Sequence, residues 1–589
     1  MTVIRAEGPA IVAVVHAEAG VELAAGAVLL TTELMKMHHD LCAPFACVVE
    51  AVHVVPGQEL SGGEALVTLR AVEGGAAVVV PVAGPRADRA EFEARMALLE
   101  DAARPEAVAR RHALGLRTAR ENIADLLDAG SFTEYGALAL AAQRSRRALE
   151  DLQARTPGDG ILCGTGTVGG RRVAVMAVDY TVMAGTQGYN HHRKMDRLIE
   201  IAGRDGLPIV LFAEGGGGRP NDHDVAGLMA AWLNVTSFRH FAAHRGPKIG
   251  INAGYCFAGN AALFGVCDVR IGTHGSFTGM GGPAMIEGGG LGVVRPDEIG
   301  PAAVQARTGL LDLLLADEAE AVAAVKTLLG LSTPREAGEP RAEALREVVP
   351  ADRTRAYDMR AAIAALVDPG SWLELRAGFG AGMVTGMARI RGRAVGLMAN
   401  NPLHLGGAID AEAADKGARF LQLCDAWGVP VVTLCDTPGF MVGPKVEETG
   451  QVAHVSRLFL AGAHLSQPLV TVILRKAYGL GAMAMAGGGL DRPQFCCAWP
   501  TGELGAMGLE GAVRLGHREH LAAIADEAER AREYERLVAE LYERGKALNA
   551  ASLLEFDAVI DPADTRAAID RALEAAGPAR PGPHWVDAW

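Results

Sequence analysis

The sequence predicts a small all-β sandwich followed by two α/β domains that share one fold. Three observations carry this prediction. Residues 1–70 consist of short alternating apolar runs broken by Gly and Pro turns, the pattern of half-buried strands. That segment repeats itself at an offset of 37 residues. Beyond residue 89, strand-like and helix-like runs alternate, and three separate motifs recur at one offset of 222 residues.

The N-terminal strands are AIVAVV, AVLLTTE, ACVVEAVHVV and ALVTL. AGVELAAGAVLL from Ala19 matches PGQELSGGEALV from Pro56, so two similar halves build the sandwich. They meet at a two-residue hairpin within TTELMKMHHD, residues 31–40, which places Lys36 at the tip between Met35 and Met37. Residues 71–88, rich in Gly, Ala, Val and Pro, read as a tether with some stiffness. Helical periodicity starts near Arg89 and runs through LRTARENIADLLDAG to Gly130, a helix stop signal.

In the body, GTVGGRRVAVMAVD resembles ARIRGRAVGLMANN and sets Gly170 against Gly392. DGLPIVLFAEGGG resembles WGVPVVTLCDTPG, with Glu214 against Asp436. YCFAGNAALFG lines up with AYGLGAMAMAG, with Gly259 against Gly481. Each pair is 222 residues apart, whereas the upstream LLDAGSF and LVDPGSW are 240 apart, so the first copy carries an 18-residue insertion near 139–160. The expected domains are 1–70, a tether over 71–88, α/β domains over 89–335 and 336–575, and a tail over 576–589. The charged stretch 517–547 reads as an amphipathic surface helix without chemistry of its own.

Composition narrows the function. A chain of 589 residues is too long for one core, and its length suggests roughly three to four domains. A net charge of −14 argues against nucleic-acid or anionic-membrane partners. The opening MTVIRAEGPAIVAVV is no secretory signal, and no run reaches the roughly 18 apolar residues of a membrane span, so a cytoplasmic protein is expected. Nine scattered cysteines without a CxxC pair read as reduced, buried thiols. The histidine pairs 38–39 and 191–192 lack the spacing of helical metal ligands, so no metal site is expected.

The chemistry is expected where a buried strand runs through small residues into a helix: PKIGIN into AGYCFAGNAALFG, and PLVTVIL into RKAYGLGAMAMAGG. Small residues let a ligand approach the backbone, and the first helical N–H groups are unpaired and partly positive. The candidate donors are the amides of Ala258 and Gly259 in the first copy and of Leu480 and Gly481 in the second. Either turn alone is ordinary packing. Paired at one place in a duplicated domain, they suggest two oxyanion holes for two different carbonyls. No GxSxG elbow, HExxH, Rossmann or P-loop fingerprint is present, and EGGGGRP at 214–220 lacks the Lys-Ser/Thr of a phosphate loop.

Residues 1–70 resemble the biotin carboxyl carrier domain, with Met35-Lys36-Met37 as its modified hairpin and Ala43-Pro44-Phe45 as the following turn. A lipoyl domain shares the biotinyl/lipoyl-type sandwich but typically shows Asp-Lys-Ala at the tip. In the carrier motif Leu34 stands where alanine is usual. Residues 90–570 resemble the β-type carboxyltransferase chain of acyl-CoA carboxylases, through GINAGYCFAGNAALFG, ANNPLHLGGAID, LCDTPGFMVG, ILRKAYGLGAMAMAGG, AWPTGELGAMGLEGAV and VIDPADTR.

This resemblance implies two crotonase-like (ClpP/crotonase superfamily) domains and biotin attached covalently to Lys36 by a biotin protein ligase that reads the flanking Met35 and Met37. It implies transfer of CO2 from carboxybiotin to the α (or vinylogous γ) carbon of an acyl-CoA substrate. The Leu480 and Gly481 amides would hold the biotin ureido oxygen, and Ala258 and Gly259 the thioester oxygen, while the cofactor supplies the base. Met483 and Met485 read either as the lining of a flexible apolar acyl pocket or as core packing. A homo-oligomer built from dimers, typically a hexamer, and a separate biotin carboxylase subunit are implied. A biotin-dependent decarboxylase and a non-catalytic biotin carrier or scaffold are the alternatives.

Overall fold

In a computed structural model, the structure describes residues 1–72, 86–220, 222, 234–578, 581–583 and 585–589. Most of the expected tether, 73–85, lies outside them. The chain divides into two compact units, Met1–Glu93 and Ala94–Trp589.

The first unit is a sandwich of two four-stranded sheets. One holds Thr2–Arg5, Ala65–Ala71, Cys47–Val52 and Glu22–Leu23 in that order, and the other Met37–Cys42, Val28–Leu34, Ala10–Val15 and Glu59–Leu60. The 37-residue repeat generates this arrangement strand by strand: Ala10–Val15 answers Cys47–Val52, Glu22–Leu23 answers Glu59–Leu60, and Val28–Leu34 answers Ala65–Ala71, each on the opposite sheet. The turn glycines repeat too, with Gly20 and Gly57 at φ 87° and 88°. Val12, Leu29, Leu30, Val49, Leu66 and Leu69 fill the space between the sheets.

The second unit carries the two α/β halves. A seven-stranded sheet runs from Thr133–Glu134 through Ile161–Val168, Arg171–Val178, Ile209–Phe212, Lys248–Asn252 and Val269–Thr273 to Leu313–Leu315. The second sheet repeats that order from Leu373–Leu375 through Met383–Ile390, Arg393–Asn400, Val431–Thr437, Leu469–Tyr478 and Phe495–Ala498 to Ala558–Val559. In each the leading hairpin is antiparallel and the strands that follow pair in parallel. The 222-residue offset holds in detail: helix Tyr189–Asp205 matches Ala411–Trp427, and both stop at a left-handed glycine, Gly206 and Gly428. The insertion contains the helix Leu149–Arg155 and the turn Pro157–Gly160.

Two helical expectations change. The region expected to be helical up to Gly130 is three helices, Ala87–Ala97, Pro105–Ala113 and Ala119–Leu126. Pro105 opens the second, and Thr118 with Glu121 forms a capping box on the third. The 517–547 stretch is likewise two helices, Arg518–Ala523 and Glu527–Gly545, because Asp526 caps the second by accepting from Glu529 N. All nine cysteines are free, eight of them buried, with Cys42 exposed. Among the described residues no helix is long and apolar enough to cross a membrane.

The halves share one apolar core, with Val175 and Val325 from the first packed in the same cluster as Met383 and Leu421 from the second. A buried ionic joint pins them. Asp312 of the first half accepts from Arg376 Nε at 3.0 Å and Arg419 Nη1 at 2.9 Å, both of the second half, and its Oδ2 lies 3.4 Å from Arg270 Nε. Burial alone would raise the Asp312 carboxyl, but the surrounding guanidinium groups hold it below the ordinary range. Asp312 therefore contributes stability that is complete above about pH 4 and lost as pH falls through its depressed folded-state value. Asp312→Asn is expected to cost about 3–5 kcal/mol, because it leaves buried arginines uncompensated. It should also flatten the acid limb of thermal unfolding measured against pH. Matching acid limbs in wild type and variant would remove Asp312 from this role.

Candidate functional site

The carrier tip is built by the antiparallel pair Val28–Leu34 and Met37–Cys42, closed by Met35 and Lys36 alone. Both closing residues are left-handed, at φ 51° and 65°, which is the type I′ turn whose twist matches the flanking strands. A non-glycine residue in this region costs on the order of 1 kcal/mol. Here that cost is borne twice, and it holds Lys36 outward with Met35 and Met37 exposed on either side. Behind the tip, Thr31 Oγ1 donates to Asp40 Oδ1 at 2.6 Å, and His16 Nε2 lies 3.1 Å from Thr31 Oγ1.

In the first α/β half, strand Ile209–Phe212 leads into Glu214 and four glycines, 215–218. The short strand Tyr255–Phe257 lies along this loop, with Gly215 N donating to Tyr255 O at 2.7 Å and Phe257 N to Gly215 O at 2.9 Å. Ala258 then turns sharply, at φ 50° and ψ −119°, into helix Gly259–Gly265. Its N–H donates to Gly279 O at 3.1 Å, so Ala258 is not a free donor. The adjacent Gly259 N–H begins the helix and has no partner within it. A Cβ on Gly217 would lie 2.7 Å from the Ala258 Cβ and 3.5 Å from Gly259 N, so glycine is what lets loop and helix close on each other.

The second half builds the same crossing. Strand Val431–Thr437 leads into 438–440, and Leu469–Tyr478 runs straight into helix Gly479–Met485. A Cβ on Gly481 would meet Gly439 Cα at 2.7 Å and Phe440 N at 3.3 Å, both of them backbone. Leu480 is exposed, so only its amide faces the turn from a fixed position. Met483 is partly exposed on this helix, whereas Met485 is fully buried in the shared core. Met485 packs inward because it falls on the helix face that Ala482 also turns to the core.

A buried carboxylate anchors each loop at equivalent positions, with partners from different elements. Glu214 is held by Arg111 through bonds of 3.0 and 2.8 Å. Asp436 is held by Arg475 at 3.1 Å and by the Lys476 N–H at 3.2 Å. Sequence reasoning missed the loop residues 217–218 and 439–440, of which Gly217 faces the first helix turn and Gly439 and Phe440 face the second. The signal was the Glu214/Asp436 alignment, since the offset that pairs the turns also pairs the loops facing them. Arg475→Met is expected to leave the buried Asp436 with only the Lys476 amide and the Lys476 ammonium 3.6 Å away, and to cost about 3 kcal/mol by thermal unfolding. An unchanged midpoint would mean that Lys476 holds the loop unaided.

Beside the first turn is a cavity of about 270 Å3 lined by Gln187, His192, Arg193, Gly218 and Thr236. A second, of about 480 Å3, lies across Glu214 and is walled by Arg110, Arg111, Tyr180, Tyr255 and Phe277. Apolar side chains stand exposed near both turns: Met280, Met285, Leu291 and Val293 in the first half, and Leu403, Leu405, Val442 and Leu480 in the second.

Residues 110–580 match the carboxyl transferase domain family, and residues 3–69 match the biotin-requiring enzyme family. The methylmalonyl-CoA carboxyltransferase 12S subunit of Propionibacterium freudenreichii subsp. shermanii is 34% identical, over 79% of this chain and 90% of its own. The biotin-dependent long chain acyl-coenzyme A carboxylase beta4 subunit of Mycobacterium tuberculosis is 33% identical, over 84% and 96%. Among solved structures, a single-chain, multi-domain long-chain acyl-CoA carboxylase superposes with a TM-score of 0.78 at 51% identity, covering 97% of this chain. This chain spans 56% of that longer protein. The hexameric transcarboxylase 12S core, solved with methylmalonyl-CoA, superposes with a TM-score of 0.73 at 32% identity, over 84% and 96%.

Proposed function

This chain belongs to the carboxyl transferase family and carries a biotin-requiring domain at its N-terminus, and from that premise we propose how its residues divide the work of an acyl-CoA carboxylase. It is a biotin-dependent carboxyltransferase that acts on acyl-CoA. The two glycine-walled turns, repeated at one offset in two crotonase-like halves, carry the assignment of its sites.

Lys36 is the attachment point for biotin. It is exposed, its turn is fixed by two left-handed residues, and nothing around it would have to move for a covalent group to extend from its Nζ. When bound, the cofactor supplies the carboxyl group and the base. In the first half, the Gly259 N–H and the Gly218 N–H of the facing loop receive the thioester oxygen, which gains negative charge as the α-carbon becomes nucleophilic, while the Gly217 N–H is taken by Asn260 Oδ1 at 3.0 Å. Donors fixed in advance stabilise that charge without reorganising, an effect worth several kcal/mol. In the second half, the Leu480 and Gly481 amides and the facing Phe440 backbone receive the ureido end of biotin. Side chains are not asked to transfer protons, which fits turns made of glycine, alanine and leucine.

The exposed apolar groups beside both turns support assembly of the site between two copies of this chain, within a dimer-based hexamer. Carboxylation of biotin falls to a biotin carboxylase outside these residues, and attachment of biotin to a biotin protein ligase. The 51% identity to a long-chain acyl-CoA carboxylase supports a longer acyl group as the substrate. Met483, partly exposed on the second helix, is proposed to border its path.

Biotinylated protein mixed with α-carboxyacyl-CoAs of increasing chain length should decarboxylate at least one of them without any partner. Lys36→Ala should abolish this, and free biotin should restore it. Biotin on Lys36 by mass spectrometry with no thioester turned over would overturn the transferase assignment. Gly481→Ala, whose new methyl group would press on Gly439 backbone, is expected to lower the rate by about 10²-fold or more. Normal turnover by that variant would place the ureido site elsewhere.

A further inference from the structure

Gln187 occupies an unusual position in the first half. Its backbone is bracketed by the glycine loop: Gln187 N donates to Gly217 O at 2.7 Å, and Gln187 O accepts from Arg219 N at 2.7 Å. The side chain is 3% exposed and lines the 270 Å3 cavity together with Gly218. Its terminus lies against the helix turn, since a Cβ on Gly259 would sit 2.4 Å from Gln187 Oε1. Its Nε2 is buried and has no hydrogen-bond partner among the described residues.

The duplicated half provides an internal control. The equivalent residue is Ile409, whose N donates to Gly439 O at 3.0 Å and whose O accepts from Met441 N at 2.9 Å. The backbone bracket is the same, but the side chain is apolar and fully buried in the core. The fold therefore needs the bracket and not the carboxamide. Leaving a buried N–H unpaired costs about 1–3 kcal/mol, which an apolar side chain would avoid. A cost kept in one copy only, at a cavity beside an unpaired helical N–H, points to a ligand that supplies the missing acceptor.

The backbone that carries Gln187 is also held firmly. Arg219, which follows Gly218, donates to Thr186 O at 2.8 Å and to Asp159 Oδ1 at 2.7 Å, and lies 3.2 Å from Asp222 Oδ1. Asp222 Oδ2 and Asp159 Oδ2 in turn accept the N–H groups of Tyr189 and His191. Residues 186–191 are thus clamped on both sides of Gln187. Gly188 leaves room for the clamp, as a Cβ there would lie 2.3 Å from Asp222 Oδ2.

We propose that the Gln187 carboxamide is a catalytic hydrogen-bond donor that acts with the Gly259 N–H on the thioester oxygen of the acyl-CoA. This rests on the reading of the first turn as the thioester site. The side chain transfers no proton. It donates to an oxygen that is a weak acceptor in the resting thioester and a strong one once it carries enolate charge, so its contribution grows toward the transition state. Ile409 offers no such donor, so this device belongs to the acyl side alone.

The test compares Gln187→Met, which keeps length and burial, and Gln187→Glu, which keeps shape and loses the donor when ionised. For each, three quantities are measured: the decarboxylation rate of the reactive α-carboxyacyl-CoA, the thermal midpoint without ligand, and the affinities for an acyl-CoA and for its thioether analogue lacking the carbonyl. The expected result for Gln187→Met is a fall in kcat of about 10²-fold, with thioether affinity unchanged and the midpoint equal or higher. The preference for thioester over thioether should shrink, with the Gly259 N–H keeping the remainder. Wild-type rates in both variants would overturn the proposal. So would a lowered midpoint with equal weakening of thioester and thioether, which is the signature of packing. If wild type turns over no thioester, the transferase reading fails by itself, and the thioester–thioether comparison still decides whether Gln187 contacts that oxygen.

Discussion

The ionic joint at Asp312 is the constraint on which the body of the molecule depends. One carboxylate, buried with Arg270 of its own half, takes Arg376 and Arg419 from the other. Charge excess in such a place is costly, and neighbouring carbonyls reduce it: Arg419 Nη2 donates to Asp268 O at 2.7 Å, and Arg270 Nη1 to Ala588 O at 3.0 Å. Apolar burial alone would join two similar halves in several orientations. A carboxylate that satisfies guanidinium groups from both sides has few geometries that work. Each half can then hold its glycine loop and helix turn at a fixed place relative to the other.

The duplication separates what the fold requires from what each copy does. Both copies keep the backbone devices, namely the crossing of loop and turn, the bracket at Gln187 and Ile409, and a buried acid at Glu214 and Asp436. The side chains that serve them have diverged. Arg111 reaches Glu214 from a helix ahead of the sheet, whereas Arg475 reaches Asp436 from the neighbouring strand. Chemistry carried by peptide N–H groups survives such drift, because any residue supplies the amide as long as the backbone path is kept. Residue identity matters only where a Cβ would collide, as at Gly217 and Gly481.

This explains what could be read from the sequence. The 37- and 222-residue repeats are self-similarities of strands, helix stops and turn glycines, and the structure follows them element by element. The place of Lys36 at a hairpin tip was legible because a lysine between two methionines there is a local pattern. The places of Gly259 and Gly481 at strand-to-helix corners were legible because their alignment fell on such a corner in both copies. The Ala258 N–H was misjudged, since its engagement by Gly279 O comes from a strand twenty residues onward that nothing local announces. Gly218, Phe440 and Gln187 were missed for a related reason. They reach the site through pairing between distant loops, and a buried Gln in a sequence looks like any other. For Met485, chemical type left pocket and core both open, and helix phase decides for the core.

The same logic extends to the carrier. Its tip could be closed at lower cost by Asn-Gly, which fits a type I′ turn without strain. The chain instead places Met35 and Lys36 in the left-handed region and exposes them. Strain of this kind persists only where the surroundings over-determine it, and here the surrounding strands do so through the Leu34–Met37 pair and the Thr31–Asp40 bond behind it. A flexible tip would present lysine in many directions and lose entropy at each docking event. A rigid one has lost that freedom during folding. A carrier that meets a ligase, a carboxylase and a transferase in turn, as proposed above, gains from that rigidity at every encounter.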